Sequence, residues 1–165
     1  MGGKAFLEIL PGSTFPRMDN ATYLALKSLQ TERLKQYFQM IAVPRAAPEK
    51  ETHGDLDFVV SQPINGRPTP EQLKGLLGAT SYIGGGPAVN FAVPLSPPSS
   101  GENQEQGFYQ IDITYCCDEA ELKRIIFFQS YGDLGMILGL LARAIGLSLG
   151  LHGLKVRQNP SLCHQ

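Results

Sequence analysis

Net charge is the first thing this sequence lacks. Fourteen Lys and Arg stand against fifteen Asp and Glu, leaving −1 at neutral pH. A balance of that kind excludes tight nonspecific binding to duplex nucleic acid driven by overall charge, though a local basic groove stays open. Cysteine is scarce as well: Cys116, Cys117 and Cys163 form an odd set with no C-x-x-C spacing. That argues against a disulfide framework or a zinc site, and a reducing, cytoplasmic setting is expected. The start of the chain lacks the basic-then-apolar pattern of a signal peptide. Met1-Gly2 does not complete a myristoylation motif, because Phe6 stands where Ser or Thr is required. A long uninterrupted apolar run is also missing. Residues 134–151 come nearest, but they carry Arg143 mid-span and four glycines. A central Arg costs roughly 2.5–3.5 kcal/mol on insertion scales, so this stretch reads as a buried helix, and no membrane partner is expected. There is no internal repeat.

What remains is ample for one folded domain. The 165 residues are 42% hydrophobic, with 18 glycines and 12 prolines. That composition favours a mixed fold with many turns over a plain helical bundle. One domain is expected over 1–157, with 158–165 as a frayed tail.

Asp19 or Asn20 caps a helix expected to run to about Phe38, its apolar face set by Tyr23, Leu26 and Leu34 at spacings of three and four. Residues 40–43 and 56–60 read as strands. Thr69-Pro70 opens a helix to about Leu77, since Thr caps well and Pro suits the first turn. Gly84-Gly85-Gly86-Pro87 breaks the chain before a strand at 89–95. The polar segment 96–106 then connects to a strand at 108–115, and the two strands should form a long hairpin. A helix with its acidic residues first spans 118–129. Ser130-x-x-Asp133 resembles a capping pattern that opens an apolar helix to about Leu147, read as core.

Three carboxylates carry the chemistry. Asp55 and Asp57 open an apolar strand, and their i, i+2 spacing puts both on one face. Asp112 lies inside Tyr109-Gln110-Ile111-Asp112-Ile113-Thr114-Tyr115. A carboxylate among bulky apolar residues is costly unless something pairs with it. If the two strands neighbour each other, three acids meet on one patch, and a divalent cation is the natural compensator. Asp-x-Asp pairs also occur on plain solvated faces and in turns, so the spacing alone does not specify an enzyme.

His53-Gly54-Asp55-Leu56-Asp57-Phe58-Val59-Val60 resembles the Gly-Asp-x-Asp-apolar strand of polymerase-beta-type nucleotidyltransferases. Gln110-Ile111-Asp112-Ile113 resembles the strand bearing their third acid, and Gly2-Gly3-Lys4 resembles their opening glycine loop. The nearest likeness is to a divergent branch with an N-terminal Gly-Gly-Lys, a Lys-x-x-x-Gly-Asp-Leu-Asp strand (here residues 50–57) and a late Tyr-x-Asp-Leu-Gly helix (Tyr131-Gly132-Asp133-Leu134-Gly135). Two departures stand out. About fifty residues separate the glycine loop from the acid pair, where a dozen are usual, which makes Gly84-Gly85-Gly86 a rival phosphate loop. Enzymes of this type also continue into a helical substrate-binding region, so a minimal or truncated form is expected.

The resemblance implies an α/β domain of the α+β kind: a small mixed sheet carrying the acids on one face, with helices packed on the other. It implies transfer of a nucleoside monophosphate from a nucleoside triphosphate to a hydroxyl, with pyrophosphate released. Asp55, Asp57 and Asp112 would hold two Mg²⁺ ions, with Mn²⁺ as the alternative metal. Gly2, Gly3 and Lys4, with Arg17 and Lys50, would contact the triphosphate. The acceptor is left open among RNA, protein and small molecule. The alternative is a non-catalytic relative that binds a nucleotide or a protein. His53 reads as an exposed loop histidine, and Tyr131 and Asp133 as serving the helix start.

Overall fold

In a computed structural model, residues 6–96 and 106–156 are described. Gly2, Gly3, Lys4, the middle of the 96–106 connection, Cys163 and the 158–165 tail lie outside the described residues. The elements run β1 (Met18–Asp19), α1 (Asn20–Leu34), β2 (Phe38–Ala42), β3 (Thr52–His53), β4 (Asp55–Pro63), α2 (Pro70–Leu77) and β5 (Ser81–Gly84). There follow β6 (Ala88–Pro94), β7 (Phe108–Tyr115), α3 (Glu119–Gln129), α4 (Leu134–Ala144), β8 (Leu147–Gly150) and β9 (Gly153–Val156).

Five strands form one mixed sheet in the order β2-β4-β7-β6-β5. The central pair, β4 and β7, is parallel; every other pairing in it is antiparallel. Alternation of side chains explains why this sheet has two unlike faces. Leu56, Phe58 and Val60 of β4 share one face with Tyr109, Ile111 and Ile113 of β7 and Val89, Phe91 and Val93 of β6, and all nine belong to the main core. Leu34 of α1 and Leu73 and Leu77 of α2 close over this face. Removing that many large apolar side chains from water is the chief force holding the domain together.

The helices start where local chemistry permits. Asp19 accepts a hydrogen bond from the Thr22 N–H and caps α1. Thr69 and Gln72 form a reciprocal capping box on α2, with Pro70 in the first turn. Asp118 caps α3 through the Glu121 N–H. α1 stops at Leu34, short of the expected Phe38, because Phe38 belongs to β2 and packs in the core.

α1 and α2 supply the expected helical layer opposite the acids. α3 adds cover at the far end of the acid-bearing face, where Val59 and Cys116 pack against Leu122 and Ile125.

The last third differs from the sequence expectation. Ser130 does not cap α4; its hydroxyl donates to the Ile126 carbonyl and it closes α3 instead. Asp133 stands before α4 with no side-chain capping bond. α4 ends at Ala144, and residues 147–156 form the β8–β9 hairpin. Nor is the apolar stretch core. Met136, Leu140 and Leu141 are 57%, 55% and 62% exposed, while Gly135 and Gly139 are buried. The helix turns its small residues inward because its neighbours come too close for anything larger. A Cβ on Gly135 would lie 2.0 Å from the Phe128 carbonyl oxygen, and one on Gly139 would lie 3.1 Å from that of Leu149. Gly135→Ala should therefore push α4 off the end of α3. The expected loss is about 1–3 kcal/mol, as for overpacked cores, and it is read from the urea midpoint. An unchanged midpoint would contradict this packing. Among the described residues, no single helix is long and apolar enough to cross a membrane.

Candidate active site

The parallel pairing of β4 and β7 does what the acid spacing alone could not. Asp57 and Asp112 are register partners on neighbouring strands, and Asp55 is paired with Gln110 two residues earlier. All four side chains fall on one face. Asn90 of β6 is the register partner of Asp112, so the row continues Asp57, Asp112, Asn90 across three strands.

This arrangement strains the ionisation of the acids. Burial, then the charges of Asp55 and Asp112, push Asp57 from the ordinary 3.8 up to about 7, against the opposing pull of Lys50. Burial raises Asp112 to about 6; the hydrogen bond from Gln110 Nε2 to its Oδ1 (2.7 Å) works the other way, and Asp55 raises it further. Two carboxylates that prefer to keep a proton near neutral pH mark a site short of positive charge.

The donor set is all oxygen, which suits a hard divalent cation. Yet among the described residues no three His, Cys, Asp or Glu side chains, these acids included, stand together closely enough to hold a metal ion by themselves. Any cation held on this face would have to draw much of its shell from water and substrate phosphate, as Mg²⁺ commonly does.

Asp57 opens into a cleft of about 360 Å³, shared with Phe128, Gln129, Gly132, Asp133, Met136 and Leu151. The opposite wall is thus the turn between α3 and α4. Tyr131 and Gly132 adopt left-handed backbone there, φ 62° and 65°. The turn is docked on residue 45: the Tyr131 N–H donates to the Arg45 carbonyl, and the Arg45 N–H donates to Ser130 Oγ. Asp133, expected only to start a helix, faces the cleft with Asp57.

Of the basic candidates, Lys50 lies close enough to Asp57 to favour its ionised form. Arg17 donates from Nε to Thr52 Oγ1 and from Nη2 to the Thr52 carbonyl, at 2.8 and 2.7 Å, and so braces β3 just ahead of Asp55. His53 is not an exposed loop residue. It is 3% exposed, stacked on Tyr23 at 3.7 Å between ring centroids, with Nε2 2.8 Å from Asn20 Oδ1. Burial first, then Lys50 and Arg17, hold its pKa below the ordinary value, which keeps the ring neutral and suited to packing. Gly84-Gly85-Gly86 lies in the β5–β6 turn at the other end of β7: the Pro87 carbonyl accepts from the Tyr115 N–H, about 10 Å along the strand from Asp112 at 3.3 Å per residue.

Sequence reasoning passed over Gln110, Asn90 and Asp133. Gln110 was readable, since it sits two residues before Asp112 and must share its face. Asn90 carried the same apolar-polar-apolar signature. Only the fold brings Asp133 across from Asp57.

No family model matches the chain, and no curated protein does. Solved structures do. Leishmania infantum polymerase beta in a ternary P/T complex superposes with a TM-score of 0.63 at 14% identity, over 95% of this chain and 69% of that one. The same polymerase in a ternary gap complex gives 0.63 and 14%, over 95% of this chain and 61% of that one. At such identity the likeness is one of architecture. The chain has a polymerase-beta-like, nucleotidyltransferase-type α+β fold, with Asp55, Asp57 and Asp112 together on one face of its sheet.

Proposed function

We propose that this chain is a metal-dependent nucleotidyltransferase, moving a nucleoside monophosphate from a triphosphate to a hydroxyl acceptor. The observation that carries the reading is the row of acids: Asp57 beside Asp112 on parallel strands, with Asp55 on the same face, Asp57 and Asp112 both held toward protonation by burial first and then by neighbouring acid charge. Such a cluster is costly to keep without a cation to neutralise it.

Asp55, Asp57 and Asp112 would hold Mg²⁺, two ions by resemblance, or Mn²⁺ in its place. The metal would neutralise the triphosphate and the charge that develops on the leaving pyrophosphate. Lys50 adds positive charge at the Asp57 end of the row. Gly2, Gly3 and Lys4 are the proposed phosphate loop, whose backbone N–H groups would approach the phosphates closely. Arg17 serves as a brace for the strand leading into the acids and as a further candidate for phosphate contact. Asp112 would orient the acceptor hydroxyl and take its proton as the oxygen attacks the α-phosphorus and pyrophosphate leaves. Catalysis would then rest on positioning and charge neutralisation.

The cleft between Asp57 and the α3–α4 turn is the proposed place for the acceptor. Its class remains RNA, protein or small molecule, and the setting proposed is cytoplasmic. The test is release of labelled pyrophosphate from nucleoside triphosphates, with Mg²⁺ and with chelator, across candidate acceptors. Metal-dependent release supports the reading. Its absence, alongside metal-dependent nucleotide binding, supports the second reading: a non-catalytic nucleotide-binding relative. That second reading is favoured by one observation, the Gln110 amide already engaging an Asp112 oxygen.

A further inference from the structure

A pocket of about 540 Å³ lies at the end of the sheet away from the acids and has no part in the proposed reaction. Its volume falls in the range of small-molecule sites. Phe38, Val60, Pro63 and Pro87 give it apolar walls, and Tyr115 and Arg67 give it polar character. Arg67 is fixed in place. Its Nη2 donates to the Gly86 carbonyl, and its guanidinium carbon lies 3.8 Å from the centroid of the Tyr115 ring. From there it favours the ionised phenol, yet the buried Tyr115 hydroxyl has no hydrogen bond of good geometry. Ser61 Oγ, on another lining residue, is likewise buried and unpartnered. A buried hydroxyl without a partner keeps its full desolvation penalty, and native structures keep few of them without a reason.

Apolar walls ask for hydrocarbon, a positioned guanidinium asks for an anion, and an orphan hydroxyl asks for an acceptor oxygen. We infer that this pocket binds a small organic carboxylate with an apolar, ring-sized body, its carboxylate held by Arg67 and the Tyr115 hydroxyl. Burial raises the Tyr115 pKa above the ordinary phenol value, so the hydroxyl stays a donor at neutral pH. The thiols at the rim are held toward their protonated form: Cys116 is pushed up to about 11 by burial and by Glu121, and Cys117 is raised by its bond and proximity to Glu121. The site is separate from the acid row, so it stands whatever the acids do.

The test is titration of naphthoate into the full chain, followed by amide NMR at Gly86 and Cys117, with naphthalene methanol as the uncharged analogue. Saturable shifts confined to the pocket are expected, with the alcohol binding about tenfold or more weaker. Arg67→Gln should weaken naphthoate by about tenfold, and Tyr115→Phe by roughly three- to tenfold. Unchanged amide shifts on β4 and β7 away from the pocket would show that each variant is folded. Equal affinity for acid and alcohol, no saturable shift at the pocket, or binding indifferent to both substitutions would each overturn the inference.

Discussion

Asp112→Asn is expected to lower pyrophosphate release by roughly a hundred- to a thousandfold, the scale seen when a single preorganised charge-stabilising group is removed. It should do so while leaving Mg²⁺-triphosphate affinity within several-fold of the wild type. The split follows from geometry. Asp57 has an acid to one side on its own strand (Asp55) and another across the β4–β7 pairing (Asp112), and it also feels Lys50. Asp112 is bonded by Gln110 and stands next to Asn90, farther along the row. On the proposed reading Asp57 would be the chief holder of metal and nucleotide, and Asp112, besides touching the metal, would act on the acceptor. The substitution is near-isosteric and removes charge from a crowded face, so the fold should persist. Steady-state release assays and calorimetry on the same preparation check both halves. Equal loss of binding and release would move Asp112 into the nucleotide site proper.

The second large effect is on stability, with no substrate present. In the folded state Asp57 titrates at about 7, against 3.8 when unperturbed, and Asp112 at about 6. Between those limits the folded protein holds protons that the unfolded chain has released. Stability must therefore fall as pH rises from about 4 to about 7, and flatten above that. The combined change is on the order of a few kcal/mol, since the acids are coupled and partly screened. Asp57→Asn should remove most of the slope and raise the urea midpoint at pH 8. Mg²⁺ should raise the wild-type midpoint at pH 8 and leave that of the variant nearly unchanged. A wild-type midpoint flat from pH 4 to 8 would mean the acids are solvated and uncoupled.

Much of this site could be read before the fold was known. The two acid strands were legible because period-two alternation leaves only one face for Asp55 and Asp57, and because a carboxylate within Tyr109–Tyr115 needs a reason to be there. The helix starts at Asp19, Thr69 and Asp118 were legible because capping is local chemistry. The pairing of Asp57 with Asp112 was not, because register between parallel strands is set by the whole sheet. His53 was misread because nothing local announces the Tyr23 ring that covers it.

The α4 region failed for a different reason. Its hydrophobicity was plain, but which face turns inward depends on how close the neighbours come. Gly135 and Gly139 answer that question against the usual expectation, leaving Met136, Leu140 and Leu141 outside. Likewise, β5 and the β8–β9 hairpin are short strands that owe their form to a partner strand and not to their own pattern.

The central claim is that the acid row is a metal–triphosphate site. The most direct measurement is calorimetric titration of each nucleoside triphosphate into the wild-type chain and into Asp55→Ala/Asp57→Ala, with Mg²⁺ and with chelator. Binding of at least one triphosphate that needs Mg²⁺ and vanishes in the double variant is the predicted result. Binding that survives both the chelator and the substitutions, or no binding by a protein shown to be folded, would contradict it.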